Sequence, residues 1–273
     1  LGNIYVNPDP DTLVLFKAQK KVEKQLKAHP DDKDARTLDG TQVTLMCNIN
    51  LISEVSLARK LYAAGIGLYR TEFPFLIRSS FPSEAEQYLI YKNLFDQMGE
   101  SPVTVRTLDA GGEKSLAYFD SPEEANPELG LRSIRFSLKH TDVFKSQIRA
   151  ILRAGADAAR VRIMFPLVSS LDEFIEARTI VQSCGAALEH DGLSHNPRVE
   201  IGMMIELPSV LATIDEFARE ADFFSIGTND FIQYMLAADR SNKQVADYYT
   251  PHHPAVVRAI DRIAAAASSA GID

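Results

Sequence analysis

Apolar residues fall along this chain in two alternating patterns. Short continuous runs occupy positions 43–48, 66–69, 103–105, 161–166, 203–205 and 223–226, and several break off at a charged residue. Predominantly apolar runs of that length predict strands buried on both faces. Between them lie stretches in which apolar residues recur every three or four positions, at about 53–63, 83–97, 144–153, 171–182, 209–219 and 254–270. Those predict helices packed by one face. Strands and helices in strict alternation imply an α/β fold of parallel strands joined by helical crossovers.

The first forty residues follow a different pattern. A short strand-like start meets Asn7-Pro8-Asp9-Pro10-Asp11, a turn and helix-start signal, and a Lys-rich amphipathic stretch then runs to about Lys27. His29-Pro30-Asp31-Asp32 ends it. Residues 1–40 read as a linker strand and helix leading from an upstream domain, with a helix packed on the main domain as the alternative. Residues 41–273 hold six strand-plus-helix units. An eight-unit barrel needs about 250 residues in all, and six units do not close it. The last helical stretch is followed by Gly271-Ile272-Asp273, where a seventh strand is expected to begin. Two architectures fit: a complete open doubly wound sheet, or a (β/α)8 barrel cut short at its C-terminus.

Composition narrows the function classes. With 45% hydrophobic and 24% charged residues the chain has the makeup of an ordinary globular domain. Its formal charge of −8, with Lys clustered only between Lys17 and Lys27, argues against nucleic acid as a partner. No uncharged apolar run reaches the roughly 18 residues of a membrane span, and the first residues lack a signal-peptide pattern, so the expectation is a cytoplasmic protein without membrane contact. Cys47 and Cys184 are too few for a disulfide framework and read as buried or half-buried thiols. The histidines are scattered without metal-ligand spacing.

The chemistry collects at the ends of the apolar runs. Arg70, Glu72, Arg106, Asp109, Glu206, Asn229 and Asp230 all follow predicted strands, and Arg240 lies in the segment after the last. In parallel α/β folds that end of the strands is the active face. Glu206 and Asp230 suit a hard divalent cation, since Mg²⁺ is anchored by one or two carboxylates together with substrate. Arg70, Arg106 and Arg240 add planar guanidinium forks that match phosphate and carboxylate oxygens. A small phosphorylated acid would satisfy all of these groups. The plainer reading stays open beside it: strand-end arginines pair with nearby carboxylates in many proteins, and Glu206 and Asp230 paired with those arginines would hold no metal. The turn Ala110-Gly111-Gly112-Glu113-Lys114 can present backbone N–H groups and Lys114 to an oxyanion, although a turn formed for its own sake explains it equally. Met203 and Met204 read as core.

Longer words then become recognisable. Gly65-Ile66-Gly67-Leu68-Tyr69-Arg70-Thr71-Glu72-Phe73, Val105-Arg106-Thr107-Leu108-Asp109, Gly111-Gly112-Glu113-Lys114 and 126–135, beginning Asn126-Pro127-Glu128-Leu129-Gly130, resemble the PEP-binding (phosphoenolpyruvate-binding) TIM barrel of the PEP-utilising enzymes. Ile205-Glu206-Leu207-Pro208, Gly227-Thr228-Asn229-Asp230 and Asp239-Arg240-Ser241-Asn242 do so too. Within that superfamily the chain is most similar to the Enzyme I family of the PEP-dependent phosphotransferase system, with 73–84 leaning toward its nitrogen-related branch and sugar transport kept open beside it. The resemblance implies that Arg70, Arg106 and Arg240 hold the phosphate and carboxylate of PEP, that Glu206 and Asp230 ligate Mg²⁺, and that Asn229 and Asp230 also touch PEP. Lys114 and Arg132 join them as further candidates for the substrate.

It also implies phosphoryl transfer from PEP to a histidine on a separate swivelling domain, leaving pyruvate as its enolate. A phosphocarrier protein is the eventual acceptor, and the barrel is expected to form a homodimer. Two departures stand out. The chain has no Thr-Ser-His segment to supply the phosphorylated histidine, and no Cys-Gly-Glu word to supply the thiol that protonates the enolate. Neither Cys47 nor Cys184 takes that place by motif, so no residue of this chain is assigned a catalytic role, and full turnover by it alone is not expected. Two rivals remain: a PEP-sensing or dimerisation module, or another enzyme of the same superfamily, such as PEP synthase, pyruvate phosphate dikinase or a Mg²⁺-dependent lyase.

Overall fold

A computed structural model describes residues 6–10, 12–14, 16, 17, 20, 35–111, 116, 118, 119 and 124–273. Lys114 and most of the expected linker lie outside the described residues, although those described between positions 10 and 20 are helical. Six strands form a single sheet in the order of the chain: β1 (Cys47–Ile49), β2 (Ile66–Arg70), β3 (Val103–Arg106), β4 (Val161–Phe165), β5 (Glu200–Ile205) and β6 (Phe223–Ile226). Every neighbouring pair is parallel. The helices are α1 (Val55–Lys60), α2 (Phe73–Leu76), α3 (Glu84–Met98), α4 (Ser133–Lys139), α5 (Thr141–Ala154), α6 (Leu171–His190), α7 (Ile214–Glu220), α8 (Thr228–Leu236) and α9 (Pro254–Ala270).

A doubly wound sheet reverses its strand order at a switch point, and this one does not. The crossover helices instead form one continuous layer, with α1 on α3, α3 on α5, α5 on α6, α6 on α7 and α7 on α9. Residues of β1 and β6, the two outermost strands, line the same cavity, so the sheet is curled. The molecule is a six-stranded half-barrel, as a partial TIM barrel would be. At the outer edge of β6 the N–H of Phe224 donates to the carbonyl of Asp273 at 2.8 Å, so Asp273 lies against the edge of the sheet.

Local signals placed most of these elements. Ser83 with Glu86 and Ser170 with Glu173 form capping boxes that start α3 and α6. Pro254 opens α9 and Gly271, in the left-handed region, closes it. β1 is shorter than the apolar run at 43–48 because Val43 and Leu45 stay exposed, and Val43 N–H bonds the carbonyl of Ala35 instead. The helices α2, α4 and α8 were not foreseen.

The core lies between sheet and helix layer. Phe144, Phe165, Phe174 and Phe217 run through it edge to face, with centroids 6.0, 5.8 and 6.3 Å apart. Inside the curl, Leu68, Met164, Met204 and Phe223 make a second apolar layer. Gly202 makes room for it, since a Cβ there would stand 2.4 Å from the Phe223 carbonyl oxygen. Met203, Met204 and Cys184 are buried, as expected, and Cys47 is half-buried. Burial pushes the Cys184 thiol pKa up.

Candidate functional site

The C-terminal ends of the strands open into a cavity of about 900 Å³. Arg70, Arg106, Glu206, Asn229, Asp230 and Arg240 all line it, together with Glu72 and Asp109. Strand register brings them there: Arg70 lies beside Arg106 across β2 and β3, and Glu206 follows Ile205, which pairs with Ile226 on β6. The next residue on that side is Gly227, where a Cβ would stand 2.6 Å from Glu206 Cγ and 2.8 Å from its Oε1. Glu206 thus occupies space that only glycine leaves open.

Asp230 corrects one expectation. It does not end a strand; β6 stops at Ile226, and Asp230 sits in the first turn of α8. The same turn brings Thr228 and Asn229 to the cavity wall. The positive end of a helix, with its unbonded N–H groups, therefore faces the space, which favours an anion.

The charged groups form a ladder of alternating sign. Arg106 Nη2 pairs with Glu72 and stands 3.0 Å from Asp109 Oδ2. Arg132 Nη2 reaches Asp109 Oδ1 at 3.1 Å and Asp230 Oδ2 at 3.5 Å, and Arg240 Nη1 reaches Asp230 Oδ1 at 2.9 Å. All except Arg240 are buried. Alternation is what allows so many charges in one place, because a buried charge left without a partner costs several kcal/mol. Burial disfavours the Arg106 charge, but Asp109, Glu72 and Glu206 outweigh it and hold its pKa above the ordinary value. Arg132 is likewise raised, Asp109 and Glu128 outweighing its burial. Arg132 stands behind the cavity lining, where it also pairs with Glu128 and bonds Tyr234 Oη at 3.4 Å.

Glu206 carries less compensation. Its Oε2 accepts the N–H of Leu167 at 2.8 Å. Burial, with Asp109 and Asp230 nearby, pushes its pKa up to about 7 against the pull of Arg106. Among the described residues the buried Asp230 Oδ1 accepts no hydrogen bond of good geometry, Arg240 being an electrostatic neighbour only. A carboxylate short of positive charge beside a buried oxygen with a lone pair to spare fits a divalent cation held by Glu206 and Asp230. Among the described residues no three His, Cys, Asp or Glu side chains gather as a cage. Two carboxylates that leave positions for substrate and water are what Mg²⁺ requires.

Several residues that shape the site were not singled out from the sequence. Ser133 and Leu167 are both buried at positive φ, 55° and 54°, and each donates to a site carboxylate, Ser133 Oγ to Asp109 and Leu167 N–H to Glu206. Such conformations are costly for non-glycine residues and cluster at functional sites. Asn50 accepts from Arg70 Nη1 at 3.1 Å. Gln147 is a polar residue in the buried stripe of α5, three positions after Phe144, and that misfit is its sequence signal; Ser133 lies within the word 126–135 but nothing there marks its role.

Residues 24–273 match the family described as PEP-utilising enzyme, PEP-binding domain. Curated relatives named phosphoenolpyruvate-protein phosphotransferase include one from Geobacillus stearothermophilus, 43% identical over 273 residues, covering 99% of this chain and 47% of the relative. Another, from Streptococcus equinus, is 42% identical over 275 residues, covering 99% and 48%, and one from Staphylococcus aureus is 41% identical over 277 residues, also covering 99% and 48%. The chain spans about half the length of these relatives. With 250 of its residues matched in sequence and its charged ladder set at the strand ends of a parallel half-barrel, the chain belongs to the PEP-binding domain family of the PEP-utilising enzymes.

Proposed function

We propose that this cavity binds phosphoenolpyruvate together with Mg²⁺, as the substrate-holding part of a PEP–protein phosphotransferase. The observation that carries the reading is the convergence of Arg70, Arg106 and Arg240, the N-terminus of α8 and the Glu206–Asp230 pair on one cavity. Charge balance supports it. Arg70, Arg106, Arg132 and Arg240 stand among Glu72, Asp109, Glu128, Glu206 and Asp230, so even with Glu206 holding a proton the side chains offer no net positive charge to an anion. A phosphate with a carboxylate brings about three negative charges near neutral pH. A bound Mg²⁺ would supply the missing positive charge and polarise the phosphoryl oxygens.

Within that reading each residue has a task. Arg70, bonded to the Asn50 amide, and Arg240, paired with Asp230, hold the phosphate and carboxylate by forked hydrogen bonds. Arg106, fixed by Glu72 and Asp109, presents a guanidinium of set orientation. Asn229 and the backbone N–H groups of the first turn of α8 complete the cradle. Phosphoryl transfer is catalysed mainly by positioning and by charge stabilisation, so a clamp of this kind serves with the nucleophile brought from elsewhere. The acceptor is a histidine on another domain and then a phosphocarrier protein; a cytoplasmic homodimer belongs to the same proposal. The names of the relatives favour this reading over a dikinase, synthase or lyase.

The test is transfer of labelled phosphate from PEP to a separately supplied histidine domain, alongside calorimetric titration of PEP with and without Mg²⁺. Transfer and Mg²⁺-dependent binding are expected of the intact protein. Binding without transfer would leave a PEP sensor, and neither would refute the assignment.

A further inference from the structure

We propose that Gln147, remote from the cavity on α5, is a positioning residue that sets the segment 106–108 and through it the guanidinium of Arg106; this rests on the PEP reading of the cavity. Gln147 is 1% exposed, and its amide is fully engaged. Oε1 accepts the N–H of Leu108 at 2.9 Å, while Nε2 donates to Thr71 Oγ1 and to Tyr91 Oη, each at 3.1 Å. Thr71 Oγ1 in turn donates to the carbonyl of Arg106 at 2.9 Å. One amide thus holds the backbone on both sides of Thr107, directly at Leu108 and through Thr71 at Arg106. From the far side, Thr107 N–H bonds the carbonyl of Met164 on β4 at 3.0 Å.

These groups lie where the sheet ends. β3 stops at Arg106, and past that point the Leu108 N–H takes its bond from Gln147. An apolar residue at position 147 would suit the surrounding face of α5, which buries Phe144, Ile148 and Ile151, but would leave the Leu108 N–H buried and unpaired. The two residues whose placement depends most on this segment are Arg106 and Asp109, consecutive members of the charge ladder. Away from the site the network runs on to Tyr91 Oη, which donates to Gln87 Oε1 at 3.3 Å, and from Gln87 Nε2 to the carbonyl of Pro82 at 3.0 Å. That outer branch touches neither Arg106 nor Asp109 and supplies a control.

The experiment compares Gln147→Met with Tyr91→Phe in the intact protein, reading melting temperature, PEP affinity in Mg²⁺ by calorimetry, and deuterium uptake of the peptide covering 103–109. Both variants are expected to melt earlier. Gln147→Met should weaken PEP binding about tenfold, the scale of one misplaced charge-assisted hydrogen bond, whereas Tyr91→Phe should stay within about twofold. Uptake at 103–109 should rise in Gln147→Met alone. Wild-type affinity in Gln147→Met, or an equal loss in Tyr91→Phe, would overturn the proposal. Should Gln147→Met fail to fold, Thr71→Val takes its place: it cuts the branch from Gln147 to the Arg106 carbonyl while leaving the Leu108 bond, and a larger loss of PEP affinity than in Tyr91→Phe is expected, an equal or smaller loss overturning the idea. If the wild-type protein binds no PEP, the reading of the cavity fails by itself, and uptake at 103–109 still decides the role of Gln147.

Discussion

Replacing Gly227 by alanine tests the metal assignment without touching either carboxylate. The φ at Gly227 is −80°, so the backbone accepts an L-residue and no conformational penalty is added. The new methyl meets Glu206 Cγ at 2.6 Å, Glu206 Oε1 at 2.8 Å and Met204 Cγ at 2.9 Å. Unstrained carbon contacts lie at about 3.5–4.0 Å, so the Glu206 side chain must retreat by roughly an ångström or turn out of its rotamer. Overpacking of this degree costs about 1–3 kcal/mol of stability. The larger effect falls on the cation. A ligand displaced by that distance cannot meet a metal–oxygen separation of about 2.1 Å while Asp230 stays in place, and a loss of about 10- to 100-fold in Mg²⁺ affinity is expected, comparable to removing a supporting hydrogen bond. Calorimetric titration of PEP at several Mg²⁺ concentrations separates the two effects: the Mg²⁺ needed for half-maximal PEP binding should rise, while the metal-independent part of the binding stays near wild type. A folded Gly227→Ala protein with unchanged Mg²⁺ dependence would refute the role of Glu206 as a ligand.

Two further outcomes follow from the same geometry. The Glu206 carboxyl, raised to about 7 in the folded metal-free protein from an ordinary value of 4.5, keeps a proton that the unfolded chain has released, so stability should fall as pH rises between those values and the full penalty should stand above pH 7. At about 1.4 kcal/mol per pH unit this is on the order of 3 kcal/mol, and Glu206→Gln should flatten the fall in metal-free melting curves taken from pH 5 to 8; parallel profiles would refute the shift. Ser133→Ala deletes the hydroxyl bond to Asp109 yet keeps a side chain at positive φ, whereas Ser133→Gly deletes the bond and relieves the backbone. Both should melt lower, alanine by about 1 kcal/mol more than glycine, and an equal or reversed order would show that the left-handed conformation stores no strain.

Much of the fold was legible in the sequence because burial on both faces leaves a strand few polar positions. The runs at 66–69, 103–105 and 161–166 correspond to β2, β3 and β4, and the charge that ends β2 and β3 marked the active end. Ser-x-x-Glu at 83–86 and 170–173 fixed two helix starts through capping bonds made within a single turn. The sequence left open whether the sheet was doubly wound, because strand order is not written in any one strand; it follows from which helices pack side by side. The position of Asp230 was misjudged for a related reason. The apolar run at 223–226 leads straight into Gly227-Thr228-Asn229-Asp230, so Asp230 reads as a strand-end carboxylate; the helix it joins is only nine residues long, too short to form without tertiary packing.

Periodicity and register depend on the local chain, and they alone already place arginines and carboxylates at one end of a parallel sheet. The sequence also carried the motif words that identify the family. How those charges pair is set by packing between distant segments. Arg132 joins Asp109 and Asp230 rather than the cavity lining, Leu167 and Ser133 take strained conformations to reach Glu206 and Asp109, and Gln147 crosses from α5 to hold the end of β3. Each of these joins residues from separate loops or helices, and the choice of partner depends on distance and on how completely water is excluded between them. Neither quantity exists until the sheet has curled and brought its strand ends around one space.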